Sequence, residues 1–400
     1  MQLAERITTS KDAGLGNLLA APKKNQVSFA GGLPDPLLFP QAELNAGFNR
    51  ALAGTAAALQ YASAAGYAPL RNQLATRLRQ DGVPACTDSV LITQGAQQAL
   101  DLIGRLTLDA GARVIVEGPT YPGALAALGT YQPKFCTVPV QEDGMDMAQL
   151  ATTLARGGVR LIYTVPDFQN PTGTVMSLQK RQQLLALARK YDVLVLEDAP
   201  YRALRYRGTN LPTLRELDQD DRVLHVGSFS KILAPGLRLG WVTGAQDIID
   251  RLVQLKSNSD LESSTLTQRA VSDYLANNDL DAHIKTLRRI YARKCTAMVA
   301  TLQKHLPASV HVSNPDGGFF VWVELPPELN AEEILARVKD EVTFVPSTTL
   351  YPDQNVKNGM RIAFTNPDVA AIRRGCVKLA HGICAEIENA EGNYRVASTM

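Results

Sequence analysis

Short apolar runs alternate with helical patterns through the middle of this chain, and that alternation constrains the fold more than any other feature. The runs occupy 89–93 (SVLIT), 113–118 (RVIVEG), 134–140 (KFCTVPV), 159–166 (VRLIYTVP), 192–198 (DVLVLED), 222–228 (RVLHVGS) and 237–244 (LRLGWVTG). Between them lie stretches of helical period, such as 95–108 (GAQQALDLIGRLTL) and 178–191 (LQKRQQLLALARKY). This pattern predicts an α/β fold with a mostly parallel seven-stranded sheet covered by helices on both faces. The gap between the sixth and seventh runs is too short for a crossover helix. One of those two strands is therefore expected to run antiparallel to its neighbours.

Beyond about residue 245 the pattern changes. Residues 262–306 read as long helices, followed by strand-like GGFFVWVEL (317–325), EVTFVPS (341–347) and MRIAFT (360–365). A smaller α+β domain closing against the first is expected, since 400 residues exceed one ordinary core. The final NAEGNYRVASTM (389–400) reads as frayed or loosely docked.

Charge and cysteine usage narrow the function classes. Lys and Arg number 41 against 39 Asp and Glu, a formal charge of +2, which argues for no nucleic acid and no membrane as partner. No apolar run approaches the ~20 residues that span a bilayer, and the first residues, MQLAERITTSKDAG, contain no apolar secretory core. Cysteines at 86, 136, 295, 376 and 384 form no CxxC pair and no metal-ligand spacing. They read as reduced thiols packed in the interior of a cytoplasmic protein, with no metal site.

In open α/β sheets ligands bind beyond the carboxyl ends of the strands. After the run at 89–93, Gly95, Ala96 and Gln97 open a helix whose free N–H groups suit a phosphate, although small residues before a helix are also an ordinary cap. PDFQNPTG after 159–166 supplies Asn170, which in isolation is a turn residue. The run at 192–198 ends in Asp198, with Tyr201 three residues on; a carboxylate there needs a cationic or proton-donating partner. Ser228, Ser230 and Lys231 follow the run at 222–228, and Arg238 leads into the next. Two hydroxyls and a guanidinium suit a phosphate, and a lysine of lowered pKa beside them is able to form a Schiff base. One cofactor accounts for the whole set. Pyridoxal 5'-phosphate needs a lysine, an anion at its pyridine nitrogen, and donors for its phenolate oxygen and phosphate.

The chain resembles the fold-type I pyridoxal-phosphate aminotransferases of the class I/II superfamily. Within it, the chain is similar to the 2-aminoadipate, kynurenine and broad-specificity aromatic or branched-chain group. The resemblance is carried by VSFAGGLPDPLLFP (27–40), LQYASAAGYAPLR (59–71), ITQGAQQALDL (92–102), EGPTYPG (117–123), PDFQNPTG (166–173), EDAPYRALRY (197–206), SFSKILAPGLRLGW (228–241), GGFFVWVELP (317–326) and GMRIAFTNPD (359–368). It implies an N-terminal arm that forms part of the small domain (1–44), a large cofactor-binding domain (45–280) and a C-terminal small domain (281–400).

Residue roles follow from the resemblance, position by position. Lys231 would carry the cofactor and move the substrate proton. Asp198 would pair with the pyridine nitrogen, Asn170 and Tyr201 would bond the phenolate oxygen, and Tyr121 would stack on the ring. Gly95, Ala96, Gln97, Ser228, Ser230 and Arg238 would hold the phosphate. Tyr61 would reach the phosphate of a neighbouring subunit, making the active unit a homodimer with sites at the interface. Arg361 in MRIAF would grip the substrate α-carboxylate, and Gly32 in GGLP would let the arm approach the substrate.

The implied reaction is ping-pong transamination from an L-amino acid to a 2-oxo acid, with 2-oxoglutarate the expected acceptor. Members that prefer a long acidic donor often carry an Arg before the SFAGGLP segment. Here DAGLGNLLAA (12–21) has none, so a neutral aromatic or branched-chain donor is expected over 2-aminoadipate. Ala replaces polar residues in YASAAGYAPLR, and Ser replaces the usual Gly in VPSTTLYP (345–352). A lyase on the same fold would keep Lys231, Asp198 and Arg361. A ligand-sensing regulator would add a DNA-binding domain, which is not expected because the family motifs begin by residue 27.

Overall fold

The computed structural model describes residues 23–54 and 56–397, so the stretch 12–21 lies outside the described residues. All seven expected strands form. The large sheet contains β2 (Val90–Thr93), β3 (Arg113–Gly118), β4 (Lys134–Gln141), β5 (Gly144–Met145), β6 (Val159–Thr164), β7 (Leu194–Asp198), β8 (Val223–Ser228) and β9 (Gly240–Thr243). It has eight strands in the order β2-β9-β8-β7-β6-β3-β4-β5. The eighth, β5, is a two-residue hairpin return pairing antiparallel with the end of β4, too short to leave a periodic signal.

β4, β3, β6, β7 and β8 are mutually parallel, and β9 runs antiparallel to both β8 and β2. Both faces of the sheet are buried because the strand residues alternate between two apolar clusters. Val114, Val116, Leu161, Tyr163 and Leu196 join the cluster on one face, and Ile115, Ile162 and Val195 the cluster on the other. This is why the strands read as unbroken apolar runs.

Helix boundaries follow local chemistry. Leu178–Tyr191 starts at Ser177, whose side chain accepts from Lys180 N at 3.3 Å, and stops at Asp192 in the left-handed conformation. Its buried face is Arg181, Leu184 and Ala188, one stripe at helical spacing. Met147–Ala155 is capped by Asp146, which accepts from Ala148 N and Gln149 N.

After helices Gln246–Asp260, Thr265–Asn277 and Leu280–His305, the chain builds a second, antiparallel sheet. It contains β10 (His311–Val312), β11 (Phe320–Glu324), β13 (Val345–Pro346) and β14 (Gly359–Ala363) in the order β10-β11-β14-β13. The arm strand β1 (Val27–Ser28) pairs with β12 (Val342–Thr343) in this region. Helix Val369–Ala397 continues through most of the terminal segment, and residues 398–400 lie outside the described ones. Interior packing holds for Cys295 and Cys376 but not for Cys86, which is exposed on a loop. Among the described residues no helix is long and apolar enough to cross a membrane.

Candidate active site

Strand order reverses around β3. The chain leaves β3 through helix Pro122–Gly129 towards β4 on one side, and leaves β6 through helix Leu178–Tyr191 towards β7 on the other. The two connections diverge, so a crevice opens at the carboxyl ends of the strands. A cavity of about 650 Å³ lies there. Lys231, Asp198, Tyr201, Asn170, Tyr121, Ala96, Gln97, Ser228, Ser230, Arg238, Arg361 and Gly32 all line it. They are scattered between positions 32 and 361, so the fold alone brings them together.

Of the candidate residues, two do not line the cavity. Gly95 lies beside it at a φ of +73°, where a Cβ would sit 2.7 Å from Arg238 Nη2. Tyr61 is 78% exposed.

Lys231 is held with its Nζ donating to the Gly32 carbonyl at 2.8 Å. Burial pushes its pKa down to about 8, and the positive charges of Arg361 and Arg238 add to the effect. Asp198 ends β7 only 3% exposed. Its Oδ2 accepts from the Tyr163 hydroxyl at 3.0 Å, while Oδ1 is buried with no partner. Burial raises its pKa to about 6, against the lowering effects of Tyr163, His225 and Lys231.

Arg361, on β14, is buried as well. Its Nη2 donates to Ala30 O at 2.6 Å and its Nη1 to Asn170 Oδ1 at 3.1 Å, while Nε has no partner. The guanidinium lies 4.5 Å from the centroid of Phe320. Burial lowers its pKa to about 10, which leaves it charged at neutral pH. The absence of a side chain at Gly32 lets the arm lie against Phe320, since a Cβ would be 2.7 Å from that ring.

At the far end of the cavity the start of helix Gly95–Thr107 faces the Ser228–Ser230 turn. Ser228 Oγ donates to Ser230 Oγ at 2.9 Å, and Ser230 N donates back to Ser228 Oγ at 3.1 Å. Arg238, left-handed at φ 52°, is tied to the helix entry by Nη2 donating to Gln94 O at 3.2 Å. Gln97 Nε2 donates to Gly123 O at 2.7 Å, joining this end to the Tyr121 turn.

Sequence reasoning missed Tyr163, Phe320 and the buried pair Glu197–His225, whose Oε2 and Nδ1 lie 2.9 Å apart on the strands carrying Asp198 and Ser228. Tyr163 and Phe320 sit within apolar strand runs and carry no polar signal of their own. Ser347, the Ser that replaces the usual Gly in VPSTTLYP, donates to Val356 O at 2.7 Å and accepts from Gly359 N, and it does not line the cavity.

The residues present fit pyridoxal phosphate. An unpartnered buried carboxylate oxygen on Asp198 calls for a cationic N–H, and the helix start, serine pair and Arg238 form an anion cradle. Lys231 stands between them with a lowered pKa.

Comparison with known proteins agrees. The family described as aminotransferase class I and II matches residues 37–379. A 2-aminoadipate transaminase of Thermus thermophilus is 38% identical over 89% of this chain and 90% of its own length. An aromatic-amino-acid aminotransferase of Thermococcus litoralis is 37% identical over 90% of this chain and 89% of its own. Among solved structures, a Pyrococcus horikoshii kynurenine aminotransferase in complex with PMP superposes with a TM-score of 0.91 at 36% identity, covering 96% of this chain and 97% of its own.

Proposed function

We propose donor preference, residue roles and assembly for a chain that belongs to the aminotransferase class I and II family. It is an amino-acid aminotransferase that uses pyridoxal 5'-phosphate, with amino acids and 2-oxo acids as substrates. The relatives do not favour the lyase or sensor readings. The observation that carries the proposed roles is the convergence of Lys231, Asp198 with its unpartnered oxygen, and buried Arg361 on one cavity.

The cofactor supplies an aldehyde that takes up the amino group and an electron-withdrawing ring that makes the α-proton acidic. Asp198 would hold the ring nitrogen in its protonated form, its Oδ1 having no protein partner. Arg361 grips the substrate α-carboxylate, using the Nε that has no protein partner. Asn170 and Ala30 O hold that guanidinium in place, which orients the Cα–H bond. Lys231 Nζ would take the substrate α-proton as base and then hand it on as acid, moving it away from the α-carbon; its pKa of about 8 leaves a useful neutral fraction near neutral pH. Tyr201 and Asn170 would bond the ring oxygen, Tyr121 would stack on the ring, and Gly95, Ala96, Gln97, Ser228, Ser230 and Arg238 would hold the phosphate.

A neutral aromatic or branched-chain donor is preferred over 2-aminoadipate. The stretch 12–21, where members that prefer a long acidic donor often carry an Arg, has none. The acceptor is 2-oxoglutarate. Tyr61, Leu59 and Leu261 are large apolar side chains left exposed, which supports a homodimer in which Tyr61 enters the partner's site. Five unpaired cysteines support a cytoplasmic location.

Half-reactions test the reading. Cofactor-loaded protein is mixed with single donors without acceptor, its absorption spectrum is followed, and the product is identified by mass. Stoichiometric 2-oxo acid from aromatic or branched-chain donors is expected. Fastest conversion with 2-aminoadipate refutes the donor preference, and release of ammonia with pyruvate or of carbon dioxide refutes transamination.

A further inference from the structure

One buried carboxylate beside the cavity has no task in the reaction described above. Glu117 ends β3 next to Gly118 and is 1% exposed. Three donors converge on it. Oε1 accepts from Thr164 Oγ1 at 2.6 Å, and Oε2 accepts from Val165 N at 3.2 Å and from Gln169 Nε2 at 3.1 Å. The first two are at the end of β6 and the third is next to Asn170, so the carboxylate spans the point where the strand order reverses.

Gln169 carries the connection further. Its second amide hydrogen goes to Pro119 O at 2.8 Å, two residues before Tyr121. Its Oε1 accepts from Thr172 N at 2.9 Å and from Thr172 Oγ1 at 2.7 Å. Both donor hydrogens and both acceptor directions of this amide are therefore used. A fully satisfied buried network of this kind holds its members in one arrangement. In the same loop, Asp167 is paired with Arg181 at 2.7 Å and Arg202 at 3.1 Å, which anchors its base.

We propose that Glu117 and Gln169 form a buried clamp that positions Asn170 and Tyr121 on the cofactor ring. The clamp rests on the roles proposed above for those two residues, and it extends them to a pair that does not touch the ring. A carboxylate suits this place because all three neighbours donate to it. A glutamine there sets its NH2 towards Thr164 Oγ1, whose hydroxyl must turn its own hydrogen away, and offers Val165 N and Gln169 Nε2 a neutral oxygen in place of a charged one, which weakens both bonds. Burial pushes the Glu117 carboxyl up to about 7 while the three donors oppose it, as expected of an acid kept dry but well solvated by the protein.

The test uses the cofactor-loaded enzyme and the variants Glu117→Gln, Asn170→Ala and the pair together. The readouts are the pH midpoint of the visible absorption band, kcat, and KM. Loss of a hydrogen bond to the anionic ring oxygen moves that midpoint upward by about one pH unit. Glu117→Gln is expected to move it in that direction and to lower kcat about tenfold, with KM within about threefold. In the Asn170→Ala background the same substitution is expected to add nothing further to the midpoint. An unmoved midpoint and kcat in Glu117→Gln, while Asn170→Ala changes both, overturns the clamp alone. So does an undiminished effect in the double variant. Asn170→Ala without effect overturns the role of Asn170 and the clamp with it. Should Glu117→Gln fail to fold, Gln169→Leu breaks the same connection with the carboxylate intact, and the same cycle with Asn170→Ala decides.

Discussion

Asp198→Asn changes the stability of the cofactor-free protein in a direction opposite to its effect on activity. The wild-type carboxyl is wholly buried with one oxygen unpartnered, and its pKa is about 6 against an ordinary value of 3.8. A folded-state pKa raised above the unfolded value contributes stability that is fully present below about pH 3.8 and lost as pH rises through 6. At about 1.36 kcal/mol per pH unit, the gap amounts to about 3 kcal/mol. Roughly 2 kcal/mol of it falls between about pH 4.5 and pH 8. The amide does not titrate, and its oxygen still accepts from Tyr163. Relative to wild type, the cofactor-free variant should therefore gain about 2 kcal/mol across that interval.

Denaturant unfolding of both cofactor-free proteins at several pH values measures this difference. A gap independent of pH, or one that narrows as pH rises, refutes the burial argument. In the loaded enzyme the comparison should reverse. There the protonated ring nitrogen neutralises Asp198, and the amide cannot hold that proton, so activity and cofactor affinity both fall.

Other substitutions report on single parts of the site. Lys231→Ala should reduce turnover by on the order of 10³-fold or more and abolish covalent attachment of the cofactor, seen as release of the free cofactor on gel filtration. Arg361→Lys removes the Nε–H and the planar guanidinium that would hold the α-carboxylate, and kcat/KM should fall about a hundredfold for every donor tested, without a change in the spectrum of the loaded enzyme. Gly95→Ala places a methyl group 2.7 Å from Arg238 Nη2 at a φ of +73°. By displacing Arg238 it should weaken cofactor binding at least tenfold in an equilibrium titration, and the left-handed strain, about 1–2 kcal/mol, should lower the stability of the free protein as well.

Strands and their order of polarity were readable because a two-faced buried sheet leaves long apolar runs, and a short gap such as the one before β9 forbids a crossover. Strand-end residues were readable for a related reason: Asp198 and Lys231 interrupt apolar stretches where a polar residue needs a partner. The eighth strand was not readable, because Gly144 and Met145 supply only two residues to it. Tyr163 was hidden for the opposite reason. It follows Leu161 and Ile162 in an apolar run, and only the register against β7, which sets it beside Leu196, brings its hydroxyl to Asp198. Glu117 was hidden likewise, its partners being about fifty residues away on another strand.

Those hidden residues divide the work of the site in a consistent way. Among the described residues, Lys231, Arg361 and Arg238 bring three basic groups to the cavity against one acidic group, Asp198, and the two arginines help drive the lysine towards its neutral form. Such a cavity favours the entry of anions, and on the roles proposed above a phosphate with an α-carboxylate would supply the missing charge. Polar groups behind the wall then decide where those anions' carrier sits. Tyr163 holds one oxygen of Asp198 so that the other faces inward, and Ala30 O with Asn170 holds two nitrogens of Arg361 so that the third is left free. In both cases a buried charge is half satisfied by the protein, and the unsatisfied half is the part that recognises what binds.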